Sequence, residues 1–166
     1  MQNPTSIPNP GILECALPIN TGPMHWVFNA AVHWINFWVQ FGTPPPIAPR
    51  LQATTAPGVS PVVYASDVHG NTLGGIRSPY VDVPIAKLTG TGNGAAPGAP
   101  PASSNCVLFG QTVPFTADQI AALYRNHGAY VRQFVAADMK AVLSTYLMFP
   151  DAELLLQAAA QSDIAK

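Results

Sequence analysis

Of the four histidines in this 166-residue chain, His25 stands in the setting best suited to moving a proton. It follows Asn20-Thr-Gly-Pro-Met, where a Gly-Pro loop opens a strongly apolar helix. An imidazole mounted there can act as general base, taking the proton of a nucleophile and later returning it to a leaving group. The position equally suits a helix-start residue hydrogen-bonded to backbone. Nucleophiles are less evident. No G-x-S-x-G occurs: Ser60 lies in Gly-Val-Ser-Pro-Val, and Ser103 and Ser104 lie in a Pro/Ala-rich loop. Cys15 and Cys106 belong to no metal-ligand cluster, and fit either a disulfide in an oxidising compartment or two buried free thiols.

The other candidates have plain structural readings. His33 is a polar position of an apolar helix. Asp67 and His69 flank a turn, where Asp suits the turn chemistry, and a metal site there lacks a third ligand. His127, in Asn-His-Gly, suits a helix terminus. Gly74 and Gly75 would let backbone approach a ligand or pack tightly in a strand. Arg77 could hold a substrate carboxylate or that of Asp82, and the internal pairing is the reading preferred here.

These residues need elements to position them. After a Pro-rich lead to Pro10, Gly11 to Leu17 reads as one strand, delivering the histidine loop. Trp26 to Phe41 reads as a helix with one narrow polar stripe, Asn29, His33, Asn36 and Gln40. Its other faces, including Phe28, Val32, Trp34, Ile35, Trp38 and Val39, call for protein cover. The prolines at 44, 45, 46 and 49 make a stiff exit. Val62–Ser66 and Leu73–Arg77 read as the arms of a β-hairpin turning at Asp67–Asn71. Val81 to Leu88 adds an extended piece, and Gly90 to Ser104 reads as a flexible loop. The last third is helical: Thr116 and Gln119 form a capping box, Asn126-His127-Gly128 interrupts the pattern, and Pro150 starts a final helix.

Composition narrows the function classes. Hydrophobic residues are 48% and charged residues 9% of the chain, against about 25% charged in ordinary soluble domains. Such a surface favours association. A net charge of -1 supplies no basic patch, which argues against nucleic acid as a partner. The apolar helix is shorter than the roughly 20 residues a membrane span needs and carries a polar group each turn, so no membrane span is expected. The N-terminus has no signal-peptide pattern. No cofactor motif and no metal site is expected, and the compartment is left open.

The segment Cys15 to Pro49, with its histidine loop and closing Trp-x-x-x-Gly-x-x-Pro-Pro, resembles the C-terminal end of an α/β-hydrolase. Gly74-Gly-Ile-Arg-Ser-Pro-Tyr-Val-Asp-Val-Pro-Ile-Ala-Lys-Leu-Thr-Gly90 and Leu108-Phe-Gly-Gln-Thr-Val-Pro-Phe115 are similar to one bacterial group of that superfamily, the "alpha/beta hydrolase domain-containing protein" family. The resemblance runs over roughly residues 12 to 160 and matches the second part of the family's longer sequence. It implies an α/β fold class: the C-terminal portion of an α/β-hydrolase-like fold, mainly helical, with a short β-hairpin and long Pro/Gly-rich loops. Residues 1–49 would be the last strand, histidine loop and closing helix of the core. Residues 50–166 would be the hairpin and C-terminal helices of the same single domain. In such enzymes the triad runs Ser, Asp or Glu, then His along the chain, so the resemblance assigns only His25, as catalytic histidine. The nucleophile and its acid are expected before Met1. The implied function is the C-terminal part of an esterase-like serine hydrolase, inactive alone, with a small ester-like substrate when complete. Its partner would be the missing N-terminal hydrolase half. The alternative is a non-enzymatic binding module that self-associates through the apolar helix, through Trp34 or Trp38.

Overall fold

The computed structural model describes residues 12–166 except Pro23, Val59 and Pro61. The Pro-rich lead and the expected strand start at Gly11 fall outside the described residues.

The apolar helix forms as α1, Met24–Phe41. One row of it, at i, i+4, i+8 and i+11, turns inward: Trp26, Ala30, Trp34 and Phe37 are its better-covered side chains. Trp26 packs on the helical core, and the Trp34 indole N–H donates to the Thr145 carbonyl at 3.0 Å. Asn29 of the polar stripe donates to Asp151 at 3.0 Å. The opposite face is bare, with Phe28 65% and Val39 79% exposed.

The rest of the helical layer follows its sequence signals. After a short α2, Pro79–Asp82, come α3, Ala117–Leu123, α4, His127–Leu143, and α5, Phe149–Gln161. Thr116 and Gln119 exchange both bonds of the capping box. The break between α3 and α4 arises because Tyr124 turns extended and Asn126 then caps α4, its side chain accepting from Ala129 N at 2.9 Å. Pro150 sits in the first turn of α5, where a missing N–H costs nothing. Tyr130, Phe134, Ala141, Leu147, Leu155 and Ala159 form one buried cluster with Val83 and Tyr124. Burying Tyr124 has a polar solution, since its hydroxyl donates to the Pro84 carbonyl at 2.8 Å.

Strand structure is smaller than the sequence pattern predicts. Two antiparallel strands, β1 (Ala86–Thr89) and β2 (Gln111–Pro114), pair Ala86 with Pro114 through Thr89 with Gln111. The extended piece expected over 81–88 is thus split by α2, because Pro79 opens a helical turn. The expected hairpin appears only as a turn and isolated bridges. Asp67 N donates to the Asn71 carbonyl at 2.8 Å, and Ser66 bridges Thr72. The arm at Val63–Ala65 instead pairs largely with 52–54, through Thr54 N to Val63 O and Ala65 N to Gln52 O, both 2.8 Å. Gly74 makes room for that third segment: its φ is +78°, and a Cβ there would overlap the Arg50 carbonyl oxygen. Close backbone packing, not ligand approach, accounts for this glycine.

Candidate functional site

His25 is the second residue of α1 and is exposed. Its ring lies against Trp26, centroids 4.0 Å apart and tilted by 44°. Because Trp26 is anchored in the helical core, this contact fixes one side of the imidazole. Among the described residues no carboxylate hydrogen-bonds the ring.

The loop that carries His25 is not the tail of a strand. Residues 14–21 thread between two loops and are held mostly by side chains. Cys15 bridges Ala95 as an isolated pair, with Ala16 N donating to Gly94 O at 2.8 Å and Ala96 N to Glu14 O at 3.0 Å. Buried Asn93 closes on the same segment: its amide donates to the carbonyls of Leu17 (3.0 Å) and Gly110 (2.6 Å), while its oxygen accepts from Leu17 N at 3.2 Å. Buried Thr112 donates to Ile19 O at 2.8 Å and accepts from Thr21 N at 2.9 Å. Asn20 turns the chain into the helix by accepting from Gly22 N at 2.7 Å and donating to Thr89 O at 2.9 Å. Any side chain at Gly22 would crowd that oxygen, which lies 2.8 Å from the position a Cβ would take.

Cys15 and Cys106 form a disulfide across a separation of 91 residues. Of the two readings left open by the sequence, the bond is the one found. Cys106 is fully buried in a 3-10 helix, Pro101–Leu108, whose Ser103 accepts from Glu14 N at 2.8 Å. The expected flexible loop 90–104 is therefore ordered, because Asn93, Ser103 and Cys106 tie it to the histidine-bearing segment. Sequence reasoning missed Asn93 and Thr112. A lone Asn between glycines and a Thr in a short strand carry no periodic signal, and their partners lie about 75 to 95 residues away.

The remaining candidates are occupied elsewhere. Ser103 is buried on Glu14, and Ser104 donates to Pro101 O at 2.9 Å. His33 meets Trp34 and Phe37 on its own helix. The two ring nitrogens of His127 face the carbonyls of Ile164 (2.8 Å) and Ala160 (3.0 Å), at the end of α5. Asp67 is a turn residue, as its turn position suggests: Oδ1 accepts from His69 N and Asn71 N, both at 2.9 Å, and Oδ2 takes Arg77 at 2.8 Å. Arg77 also donates to Asp82 at 2.6 Å, the internal pairing preferred from the sequence, and Lys140 joins Asp82 at 3.1 Å. Burial alone would raise the Asp67 pKa, but the Arg77 bond and the two backbone N–H groups outweigh it and hold the carboxyl below its usual range. Burial likewise opposes the Arg77 charge, and its two aspartates overcome that. Among the described residues no three His, Cys, Asp or Glu side chains converge as a metal site. No described helix is long and apolar enough to cross a membrane.

Beside the histidine loop lies a cavity of about 600 Å³, lined in part by Asn20, Gly22, Met24 and Val27. The site on this chain is thus an exposed imidazole braced by Trp26, with the neighbouring Met24 and Val27 lining a hollow. It can accept a proton from a nucleophile brought to it. Comparison with curated proteins and with solved structures yields no match. Residues 2–157, by contrast, match the family described as "Alpha/beta hydrolase domain", and the chain belongs to that family.

Proposed function

We propose that this chain supplies the histidine portion of a serine hydrolase active site. His25 is the general base, and a serine nucleophile and its acid come from polypeptide outside these 166 residues. The reaction is hydrolysis of an ester or related acyl bond through an acyl-enzyme: the serine oxygen attacks the acyl carbon as His25 takes its proton, and His25 returns that proton to the departing alcohol. Water then repeats the sequence to release the acid. The observation that carries this reading is the mounting of His25. It is exposed, braced by Trp26, and placed at the start of a helix whose outer apolar face is bare in a chain of the α/β-hydrolase family. A closing helix of such a hydrolase needs protein on that face, and an N-terminal half carrying G-x-S-x-G on a strand-to-helix turn is the natural cover. In that arrangement the chain is the C-terminal part of the enzyme and is inactive by itself.

The test is complementation. The coding sequence flanking the chain is read for an in-frame or neighbouring G-x-S-x-G segment followed by an Asp or Glu, and the two are co-expressed. Hydrolysis of p-nitrophenyl acetate by the pair, absent from either part and lost on His25→Ala, is the expected result. Activity of the chain alone would overturn the proposal.

A second reading rests on the same bare face: a non-enzymatic module that self-associates through α1. The structure sharpens its test. Trp34 is turned inward and bonded to Thr145, so Trp34→Asp would damage the fold. Trp38, half exposed, reports the interface instead. Loss of a concentration-dependent oligomer on Trp38→Asp, with His25→Ala harmless and no complementing half, would favour this reading.

A further inference from the structure

The cavity beside the histidine loop has a definite chemical character. Met24, Val27, Leu51, Ile76, Leu88 and Phe109 give it apolar walls. Of the polar side chains on its lining, Asn20, Asn71 and Arg77 are committed to the protein itself, and the hydroxyls of Thr72 and Ser78 are the uncharged groups left over. Asn20 bonds Thr89 O and Gly22 N, and the Asn71 oxygen accepts from Leu88 N at 2.8 Å. Arg77 directs N–H groups at Asp82, Thr72 O, Asp67 and Val81 O, which leaves one of its five donors unassigned. Two aspartates neutralise its charge. The cavity therefore offers an entering group no uncompensated charge, and its spare polar groups are two neutral hydroxyls and one Arg77 N–H. Its volume, about 600 Å³, lies within the span of roughly 300 to 1,000 Å³ usual for small-molecule pockets. An apolar group gains by leaving water there, whereas a charged one would shed its hydration for a few neutral contacts that compensate it only in part.

We infer that this cavity binds a neutral alkyl or aryl group, the apolar part of the substrate presented to His25. That this group belongs to an ester rests on the acyl-transfer reading above. The binding itself does not.

The test is titration of the isotopically labelled full chain with 1-butanol, 1-hexanol, 1-octanol and sodium octanoate, followed by methyl NMR. The alcohols are expected to shift the methyls of Leu51, Ile76 and Leu88, with affinity rising about fourfold per methylene. Octanoate should bind at least about tenfold more weakly, since it buries a charge that has no uncompensated countercharge to meet. Ile76→Trp, which fills the cavity, should weaken octanol binding about tenfold or more, and Val39→Asp on the outer face of α1 should leave it unchanged. Shifts confined to Val32 and Val39 of α1, or octanoate binding as tightly as octanol, would overturn the inference. Octanol in the cavity without complementation to a hydrolase would remove the proposed function but keep the binding site. An active complemented enzyme whose cavity ignores octanol would remove this inference alone.

Discussion

In the helical layer, Tyr130, Phe134 and Ala159 are wholly withdrawn from solvent and α4 and α5 meet through apolar side chains. In the loops that mount His25, the ordering groups are instead Asn93, Thr112 and Asn20, each bonded to backbone far away in sequence, together with one disulfide. The first region is held by burial, which is forgiving in direction. The second is held by directional bonds and a covalent link. His25 sits at the junction, with its loop fixed by the polar region and its helix fixed, through Trp26, by the apolar one. A loop built this way can place a functional side chain accurately without a large core beneath it. Its weakness is that each tie is individually severable.

That contrast can be broken most severely at the disulfide. Closing a loop of this length removes denatured-state entropy worth roughly 4 to 5 kcal/mol. Replacing both cysteines, Cys15→Ser with Cys106→Ser, should lower unfolding free energy by an amount of that order in urea titrations. Hydrogen exchange should show the loss first at residues 14–21 and 93–112, with α4 and α5 still protected. Equal loss of protection in α4 would mean that the two regions are one cooperative unit.

The helical layer has two exceptions, the unbonded hydroxyl of Tyr130 and the carboxyl of Asp138, and titration exposes the second. Asp138 on α4 is 3% exposed, and its Oδ1 accepts no hydrogen bond. Burial pushes its pKa up from 3.8 to about 6. Between those values the folded chain holds a proton that the unfolded chain has released, so stability falls as pH rises from about 4 to about 6 and remains lower above. The cost at neutral pH is of order 2 to 3 kcal/mol. Asp138→Asn should flatten this part of the stability profile and stabilise the protein at pH 8. An unchanged slope between pH 4 and 6 would show that the carboxyl is not the cause. Below that range Asp67 acts in the opposite sense. Its lowered pKa makes the Arg77 pairing a source of stability present above the unfolded value and lost as pH falls through the folded one.

Smaller changes separate the ties of the histidine loop. Thr112→Val keeps the shape but removes a buried hydroxyl that serves both Ile19 and Thr21. It should cost about 1 to 3 kcal/mol and raise amide exchange at Thr21. At the edge of the helical layer, Thr116→Ala removes the capping box of α3 and should cost only about 1 kcal/mol. Thermal denaturation of the pair ranks them, and a Thr116 effect exceeding that of Thr112 would contradict the account.

The helical region was largely legible in the sequence because its signals are local: the capping box at 116, the interruption at 126–128, the proline at 150 and the apolar period each act within a turn or two. α1 was legible as a helix, and so was the need to cover its apolar faces, of which the row through Trp26, Ala30, Trp34 and Phe37, with Val27 beside it, found cover. The loops were not. Cys15 lay in a run that reads as a strand, yet only an isolated bridge to Ala95 forms there, and the amides of Glu14 and Leu17 turn to the side chains of Ser103 and Asn93. The hairpin arms went to a third segment at 52–54, which only the packing of Gly74 on Arg50 made accessible. Of the candidate site, His25 and the Arg77–Asp82 pair could be named from residue type and spacing. The groups that hold the histidine loop could not, because bonds spanning 69 to 93 residues leave no local pattern.

Fluorophosphonate labelling of the complemented hydrolase reports on His25 as general base without intervening steps. A serine of the partner half should label, and His25→Ala should slow this by about 10³-fold or more, with the disulfide and fold intact by mass and circular dichroism. Labelling of a serine within these 166 residues, or a rate unchanged to within a few-fold on His25→Ala, would contradict that role.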